Sequence, residues 1–222
     1  MAATNLHFQV RVISRGAGRS APAAASYRSG SVVGAGGRSA VASASYRSGE
    51  TLHDARLGRT FDYTRKEDVL HAEIVAPAHA PAWVYDRSRL WNGVEAAEKR
   101  KDARLARDII AALPRGLDAA AYQALAREFI NDNFVAHGMI ADFAIHDKDA
   151  SDGGRNPHMH IMLTTREVDQ DGFGPKNRDW NRRELVGEWR DAFEQLCNRY
   201  LEEAGSASQV SLQSYAERGI DR

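Results

Sequence analysis

The segment that most constrains this chain is residues 140–165, IADFAIHDKDASDGGRNPHMHIMLTT. It contains two short runs in which apolar and polar side chains alternate, as they do in half-buried β-strands. The connection between the runs, residues 147–157, is rich in Asp, Gly and Pro and can return the chain antiparallel. If both apolar faces cover one core, His146, His158 and His160 share the opposite, solvent-facing side. The segment therefore predicts a β-hairpin that carries three histidines on one face.

Three imidazoles on one rigid hairpin are typical of a site for a divalent metal ion. Neutral imidazoles bind such an ion and leave coordination positions open for substrate oxygens, which suits catalysis better than scaffolding. The alternative is that the histidines are ordinary polar surface residues. Two independent strand patterns place them on the same face, which favours the metal site. The sequence has no HExxH motif, so a zinc peptidase is not indicated.

The composition predicts one soluble globular domain. The chain has 222 residues, of which 43% are hydrophobic and 27% charged. No apolar run approaches the roughly 20 residues that span a bilayer, and no signal peptide precedes the first strand pattern. A single cysteine, Cys197, excludes an internal disulfide and indicates a reducing cytoplasm. We expect the domain to cover residues 1–205, with residues 206–222 as a polar tail or the start of a linker.

The charge is neutral overall but unevenly distributed. Residues 1–65 carry nine arginines against three acidic residues, a net charge of +6, and the remainder carries −6. Such a segment can form an anion-binding face, although an arginine-rich surface in contact with water alone is an equal alternative. The arginines expected to contribute to such a face are Arg11, Arg15, Arg19 and Arg38.

An internal repeat occupies this basic segment. Residues 18–30 read GRSAPAAASYRSG and residues 37–49 read GRSAVASASYRSG. Each copy predicts a short alanine-rich helix. A serine caps its start, and a glycine ends it. Each helix ends on Ser-Tyr-Arg, which presents Tyr27 in the first copy and Tyr46 in the second.

The remaining patterns complete an α+β fold. Alternating residues predict strands at 6–14, 69–76 and 106–113, and a hairpin at 51–66. Amphipathic spacing predicts helices at 86–101, after Asp118 and at 181–204. We expect an antiparallel sheet with helices packed on one face, a two-layer sandwich.

Several of these segments resemble one known family. They read ISRGAGRSA, ASYRSGE, DYTRK, HAEI, NPHMHIMLTTRE and DWNR, in the family's order, from residue 7 to about residue 182. The chain resembles the MobA/MobL (MobQ-type) conjugative relaxases of the HUH endonuclease superfamily. The resemblance implies an enzyme with the HUH relaxase fold, which nicks and rejoins one DNA strand at a plasmid origin of transfer. Tyrosine attack on a phosphate held at the metal would leave a covalent 5′-phosphotyrosine.

The resemblance also implies the site residues. The family's triad falls on His146, His158 and His160, which would bind Mn²⁺ or Mg²⁺. Its nucleophile falls on the duplicated tyrosine. Tyr27 keeps the family's spacing from the first strand, whereas Tyr46 keeps the spacing to the following hairpin and is slightly preferred. Residues that could support the site are Glu73, Arg28 and Arg47.

The resemblance also implies partners, and two rival functions stand against it. The expected partners in the bacterial cytoplasm are single-stranded DNA at the origin, accessory relaxosome proteins and a secretion-system coupling protein, without membrane insertion. The DNA phosphates would be contacted by Arg11, Arg15, Arg19 and Arg38. One rival is a non-catalytic single-stranded DNA-binding module, which would need neither metal nor tyrosine. Another is a metal-dependent hydrolase that activates water and forms no covalent adduct.

Overall fold

The computed structural model describes residues 4–16, 33–34 and 37–213. The strands there are β1 (Thr4–Asn5), β2 (Phe8–Ser14), β3 (Val33–Gly34), β4 (Gly37–Arg38), β5 (Thr51–Asp54), β6 (Arg59–Asp62), β7 (Val69–Val75), β8 (Arg104–Ala112), β9 (Ala141–Asp149), β10 (Arg155–Leu163), β11 (Arg166–Asp169), β12 (Gly172–Lys176) and β13 (Val210–Ser211). The α-helices there are α1 (Ala40–Ser48), α2 (Arg87–Ala97), α3 (Ala119–Asn133) and α4 (Glu184–Glu203). Short 3₁₀ helices cover Ala82–Tyr85, Val135–His137 and Asp179–Asn181.

A five-stranded sheet forms the centre of the fold. Its order is β2-β8-β10-β9-β7, and every neighbouring pair is antiparallel. The predicted α+β class with an antiparallel sheet is therefore confirmed. The predicted hairpin at 51–66 also forms, from β5 and β6.

The histidine hairpin consists of β9 and β10, with a shorter turn than predicted. The strands stay paired as far as Asp149 and Arg155, so the connection is residues 150–154 and not 147–157. Arg155 forms ion pairs with both Asp147 and Asp149 across the strands. These cross-strand pairs stabilise a strand end whose polar sequence predicts only a loop.

One face of the sheet is covered by α3 and α4. Phe129 of α3 and Phe193 of α4 pack on each other, and both contact Phe8 of β2. Phe143 of β9 lies in the same buried cluster. The Asp118 side chain accepts a hydrogen bond from the Ala121 amide and caps α3, as the sequence predicts.

The other face is covered by α1 and α2. Leu90 and Trp91 of α2 and Val41 of α1 form a second buried cluster with Ile74 of β7 and Met162 of β10. The predicted single helical layer therefore describes α3 and α4 only. The second layer was missed because α1 consists mostly of alanine and serine and lacks a wide apolar stripe.

The segment after α4 also belongs to the domain. β13 pairs in parallel with β1, and Val210 and Leu212 are buried in the cluster that contains Phe193. Residues 206–213 are thus not the polar tail that was expected. Two apolar side chains in a short segment give too weak a pattern to predict this docking.

Candidate metal centre and tyrosine helix

Three histidines meet on the sheet face that α1 covers. His158 lies directly opposite His146 in the β9–β10 pairing, and His160 follows two residues later on the same face. The three ring centroids are 4.9 to 5.4 Å apart. One potential ligand atom from each residue lies within 4.8 Å of the other two. The strand alternation that predicted this grouping is therefore reproduced by the fold.

The environment of the triad differs from the expected solvent-facing one. His146 and His160 are only 1% and 5% exposed, because α1 lies over this part of the sheet. Burial lowers the pKa of His146 to about 4, with the nearby Lys66 charge adding to the effect. Burial likewise lowers the pKa of His158, and that of His160 to well below its ordinary value. All three imidazoles are therefore neutral at pH 7, the form that binds metals.

The donor set fits a divalent cation. The Nδ1 atom of His160 is buried and has no hydrogen-bond partner in the described part of the chain. His158 Nδ1 lies 2.8 Å from the Asn156 carbonyl oxygen, an arrangement that orients this ring as the outer hydrogen bonds of metal-ligating histidines do. A cation would provide a partner for this otherwise unpaired nitrogen of His160.

Helix α1 brings Tyr46 to the same face. The Ser39 side chain caps its first turn, and Gly49, with a φ of 72°, ends it in the left-handed conformation. The Nε2 atom of His146 lies 2.7 Å from the Arg47 carbonyl oxygen, so the last turn of α1 is hydrogen-bonded to the triad. Tyr46 therefore lies one residue from a direct contact with the histidine hairpin.

A turn before β7 contributes residues around Tyr46. The Tyr63 ring packs edge-on against the Tyr46 ring at 5.2 Å, and Lys66 Nζ lies over that ring, 3.9 Å from its centroid. Asp68 Oδ2 lies 3.7 Å from His146 Nδ1. Sequence reasoning assigned no role to Lys66 or Asp68. The one available signal was the DYTRK segment of the resemblance, which contains Tyr63 and Lys66.

Two of the predicted supporting residues lie within the described residues, and they occupy different positions relative to the triad. Glu73 projects from the opposite face of the sheet, where its carboxylate forms an ion pair with Arg127 and a hydrogen bond with His71. The structure does not bring it to the triad, because its position in β7 alternates to the side of α3. Arg47 is adjacent to the site, and its guanidinium is buried in an ion pair with Asp108.

Three of the four arginines predicted to contact DNA lie within the described residues. Arg15 is held inside the fold by the Glu95 carboxylate and the Glu98 carbonyl, so it is not available to a phosphate. Arg11 lies on β2 and donates a hydrogen bond to Gln9. Arg38 lies in β4. The predicted residues Arg19, Tyr27 and Arg28 fall outside the described residues.

Comparison of the fold gives a class. The antiparallel sheet with helices on both faces has the fold of a solved conjugative relaxase. The relaxase TrwC, solved in complex with oriT DNA in a metal-bound state, superimposes with a TM-score of 0.53 over 97% of this chain and 85% of the solved TrwC chain. At 10% identity this likeness concerns the fold alone.

Sequence comparison then gives the family. Residues 38–222 match the MobA/MobL family, and the chain belongs to it. It is 36% identical to the conjugal transfer protein TraA of Agrobacterium fabrum, over 97% of this chain and 20% of TraA. It is 35% identical to the mobilization protein MobL of Acidithiobacillus ferridurans, over 97% of this chain and 59% of MobL. The chain thus spans about a fifth of TraA and three fifths of MobL.

A solved structure agrees with this assignment. The chain is 31% identical to a protein whose structure is reported as the molecular basis of vancomycin resistance transfer in Staphylococcus aureus, with a TM-score of 0.78 over 96% of this chain and all of that one. Among the described helices, none is both long and apolar enough to span a membrane.

Proposed function

We propose that this chain is a relaxase that nicks one DNA strand at a plasmid origin of transfer, with Tyr46 as the nucleophile. The observation that carries the proposal is the hydrogen bond between His146 and the Arg47 carbonyl. This hydrogen bond holds the end of α1, which carries Tyr46, against the three-histidine cluster. A positioned hydroxyl next to a cation site is the arrangement that phosphodiester transesterification requires.

Different residues of the chain would bind the metal ion and position the nucleophile. His146, His158 and His160 would hold a divalent ion, which supplies charge neutralisation for the non-bridging oxygens of a phosphodiester. Burial keeps these imidazoles neutral and therefore available as ligands. The Tyr46 ring is held in position by an edge-type ring contact with Tyr63 and by Lys66, whose ammonium lies over its face.

The proposed step is a balanced exchange of esters. The Tyr46 oxygen forms a bond to phosphorus as it loses its proton, and the bond from phosphorus to the 3′ oxygen of the DNA breaks. The released 3′ oxygen takes up a proton, and the 5′ phosphate stays on the tyrosine. One phosphate ester replaces another, so the strand can be rejoined by the reverse reaction without a nucleotide cofactor.

One experiment tests the proposal directly. The protein is incubated with a labelled single-stranded oligonucleotide that spans the origin of transfer, with Mn²⁺ or Mg²⁺, and separated under denaturing conditions. We expect a protein–DNA band that resists denaturant and is lost with chelator. His160→Ala should also remove it, together with most of the Mn²⁺ affinity measured by calorimetry.

The rival functions give different results in this assay. A DNA-binding module would bind the oligonucleotide without cleaving it, in the presence or absence of metal. A metal-dependent hydrolase would cleave the oligonucleotide and form no adduct. Relaxosome proteins, a coupling protein and the bacterial cytoplasm stay predictions of the family resemblance.

A further inference from the structure

Lys66 is a buried cation whose hydrogen-bonding capacity is unused. Its side chain is 13% exposed, and Nζ has no hydrogen-bond partner in the described part of the chain. The nearest acidic oxygen, Oδ1 of Asp68, is 3.6 Å away. An ammonium group carries three N–H donors, and burying them without acceptors is unfavourable. Apart from this ion-pair contact with Asp68, the position leaves N–H donors that no described residue accepts.

The lysine is held in this place by its backbone. The Lys66 amide donates a hydrogen bond to the Tyr63 carbonyl at 3.0 Å, and the Asp147 amide donates to the Asp68 carbonyl at 2.9 Å. The turn before β7 is thereby closed on itself and attached to the end of β9. Lys66 Nζ consequently lies on the Tyr46 ring, 3.9 Å from its centroid, as part of a fixed structure.

Lys66 also lies close to the histidine triad. Oδ1 of Asp68 is 3.6 Å from Lys66 Nζ, and Oδ2 of the same carboxylate is 3.7 Å from His146 Nδ1. A fixed positive charge so near the triad opposes a divalent cation there. A phosphate that contacts both the ammonium and the cation would be attracted by both, and would supply acceptor oxygens to the donors that Asp68 leaves unpaired.

We infer that Lys66 binds a phosphate oxygen of the DNA strand at the histidine triad. The inference rests on the proposed function and adds a substrate-binding residue to it. Burial lowers the pKa of Lys66 to about 8, so the free ammonium is still mostly charged at pH 7. A bound phosphate stabilises this charge and replaces water that burial has removed.

Lys148 provides a matched control. Its Nζ lies 3.2 Å from Oδ2 of Asp68, so it faces the same carboxylate as Lys66. Its side chain, however, is 45% exposed, and its ammonium is open to water. Lys66→Met and Lys148→Met therefore remove the same charge beside Asp68, but only the first removes a buried donor from the Tyr46 ring.

The first test measures adduct formation with the origin oligonucleotide and Mn²⁺. We expect Lys66→Met to slow it by about 10²- to 10³-fold, as removal of one charge-stabilising donor does. Lys66→Arg should recover most of the rate, since a guanidinium also donates to phosphate. Lys148→Met should stay within about fivefold of the unmodified protein. Equal rates for Lys66→Met and Lys148→Met overturn the inference.

The second test separates phosphate binding from metal binding. Calorimetric titration of Lys66→Met with Mn²⁺ alone should give unchanged or tighter affinity, because an opposing charge has been removed. A loss of Mn²⁺ affinity that accounts for the slower reaction would assign Lys66 to the metal site and overturn the phosphate contact.

The third test does not depend on cleavage. Affinity for an oligo-dT strand is measured at several salt concentrations for the two Met variants. Loss of one phosphate contact should reduce the salt slope by about 0.7 log units per tenfold salt for Lys66→Met only. An unchanged slope overturns the lysine contact. If the unmodified protein forms no adduct, the proposed function fails, and this slope still decides the role of Lys66.

Discussion

The Arg47 guanidinium lies 2.8 Å from the Asp108 carboxylate, and the two side chains are only 4% and 5% exposed. The backbone carbonyl of Arg47 accepts a hydrogen bond from His146, and its guanidinium donates a hydrogen bond to the Ser43 carbonyl. One arginine therefore connects the end of α1 to β8 and β9. The sequence resemblance suggests Arg47 as a residue that supports the site, and its contacts attach the tyrosine helix to the sheet.

This ion pair gives the first prediction. Arg47→Met leaves the Asp108 carboxylate buried without its partner, and we expect the free energy of unfolding to fall by about 3–5 kcal/mol. Urea unfolding measures the change. The double variant Arg47→Met/Asp108→Leu should recover much of the loss, because no buried charge remains. Equal unfolding free energies for the single and double variants would contradict the prediction.

The second prediction concerns acid stability of the metal-free protein. Folding lowers the pKa of His146 to about 4, while the unfolded chain binds that proton near the ordinary value of 6.5. The unfolded state thus holds more protons between these values, and stability falls as the pH drops from about 6.5 to 4. His146 alone should contribute on the order of 2 kcal/mol to this loss.

Urea unfolding at several pH values, with chelator present, measures this dependence. His146→Gln is the informative variant, since a glutamine amide can still donate to the Arg47 carbonyl but does not titrate. We expect its stability to vary less with pH than that of the unmodified protein. The same pH dependence in both proteins would show that His146 does not bind the missing protons.

The histidine face shows which structural facts can be read from this sequence. Strand alternation depends only on backbone geometry, so it predicted that His146, His158 and His160 share one face. Their burial depends on α1, a helix whose small side chains give no clear apolar pattern. Residues expected to face water are therefore in the interior, and their removal affects stability as well as metal binding.

The electrostatic contacts could not be predicted in the same way. Lys66 is separated by 20 residues from Tyr46 and by 80 from His146, as their numbers in the chain show. Only the closing of the turn before β7 onto β9 brings these groups together. Likewise, nothing local to Arg15 indicates that Glu95 holds it inside the fold. Charge patterns along a sequence do not separate buried ion pairs from surface charges.

A third prediction follows from the buried ammonium. The pKa of Lys66 is lowered from 10.5 to about 8, so the folded state disfavours its charge. We expect Lys66→Met to raise the free energy of unfolding at pH 7 by on the order of 1 kcal/mol. The gain should shrink as the pH rises from about 8 to 10.5, where the folded protein has already released this proton.

Chemical unfolding at pH 7 and pH 10 measures that difference. Lys148→Met, at the exposed lysine on the same carboxylate, should change stability by less than about 0.5 kcal/mol at both pH values. A Lys66→Met variant less stable than the unmodified protein at pH 7 would mean that the lysine stabilises the fold.

The last prediction decides between the two tyrosines. Tyr46→Phe keeps the ring that contacts Tyr63 and Lys66, so the fold and DNA affinity should be preserved. It removes the attacking oxygen, and we expect adduct formation to fall by more than about 10³-fold. Tyr27→Phe should retain the adduct, because Tyr46 occupies the helix end that is hydrogen-bonded to the triad.

Denaturing electrophoresis of both single variants and the double variant with the origin oligonucleotide gives the answer. Full adduct formation by Tyr46→Phe, with none by Tyr27→Phe, would transfer the nucleophile to the first copy of the repeat. Reaction of both single variants, with only the double variant inactive, would mean that the two copies exchange at one site. This outcome is physically accessible, because both copies end on the same Ser-Tyr-Arg sequence and the glycine-containing connector SVVGAGG separates them. An adduct that survives in the double variant would place the nucleophile outside the repeat.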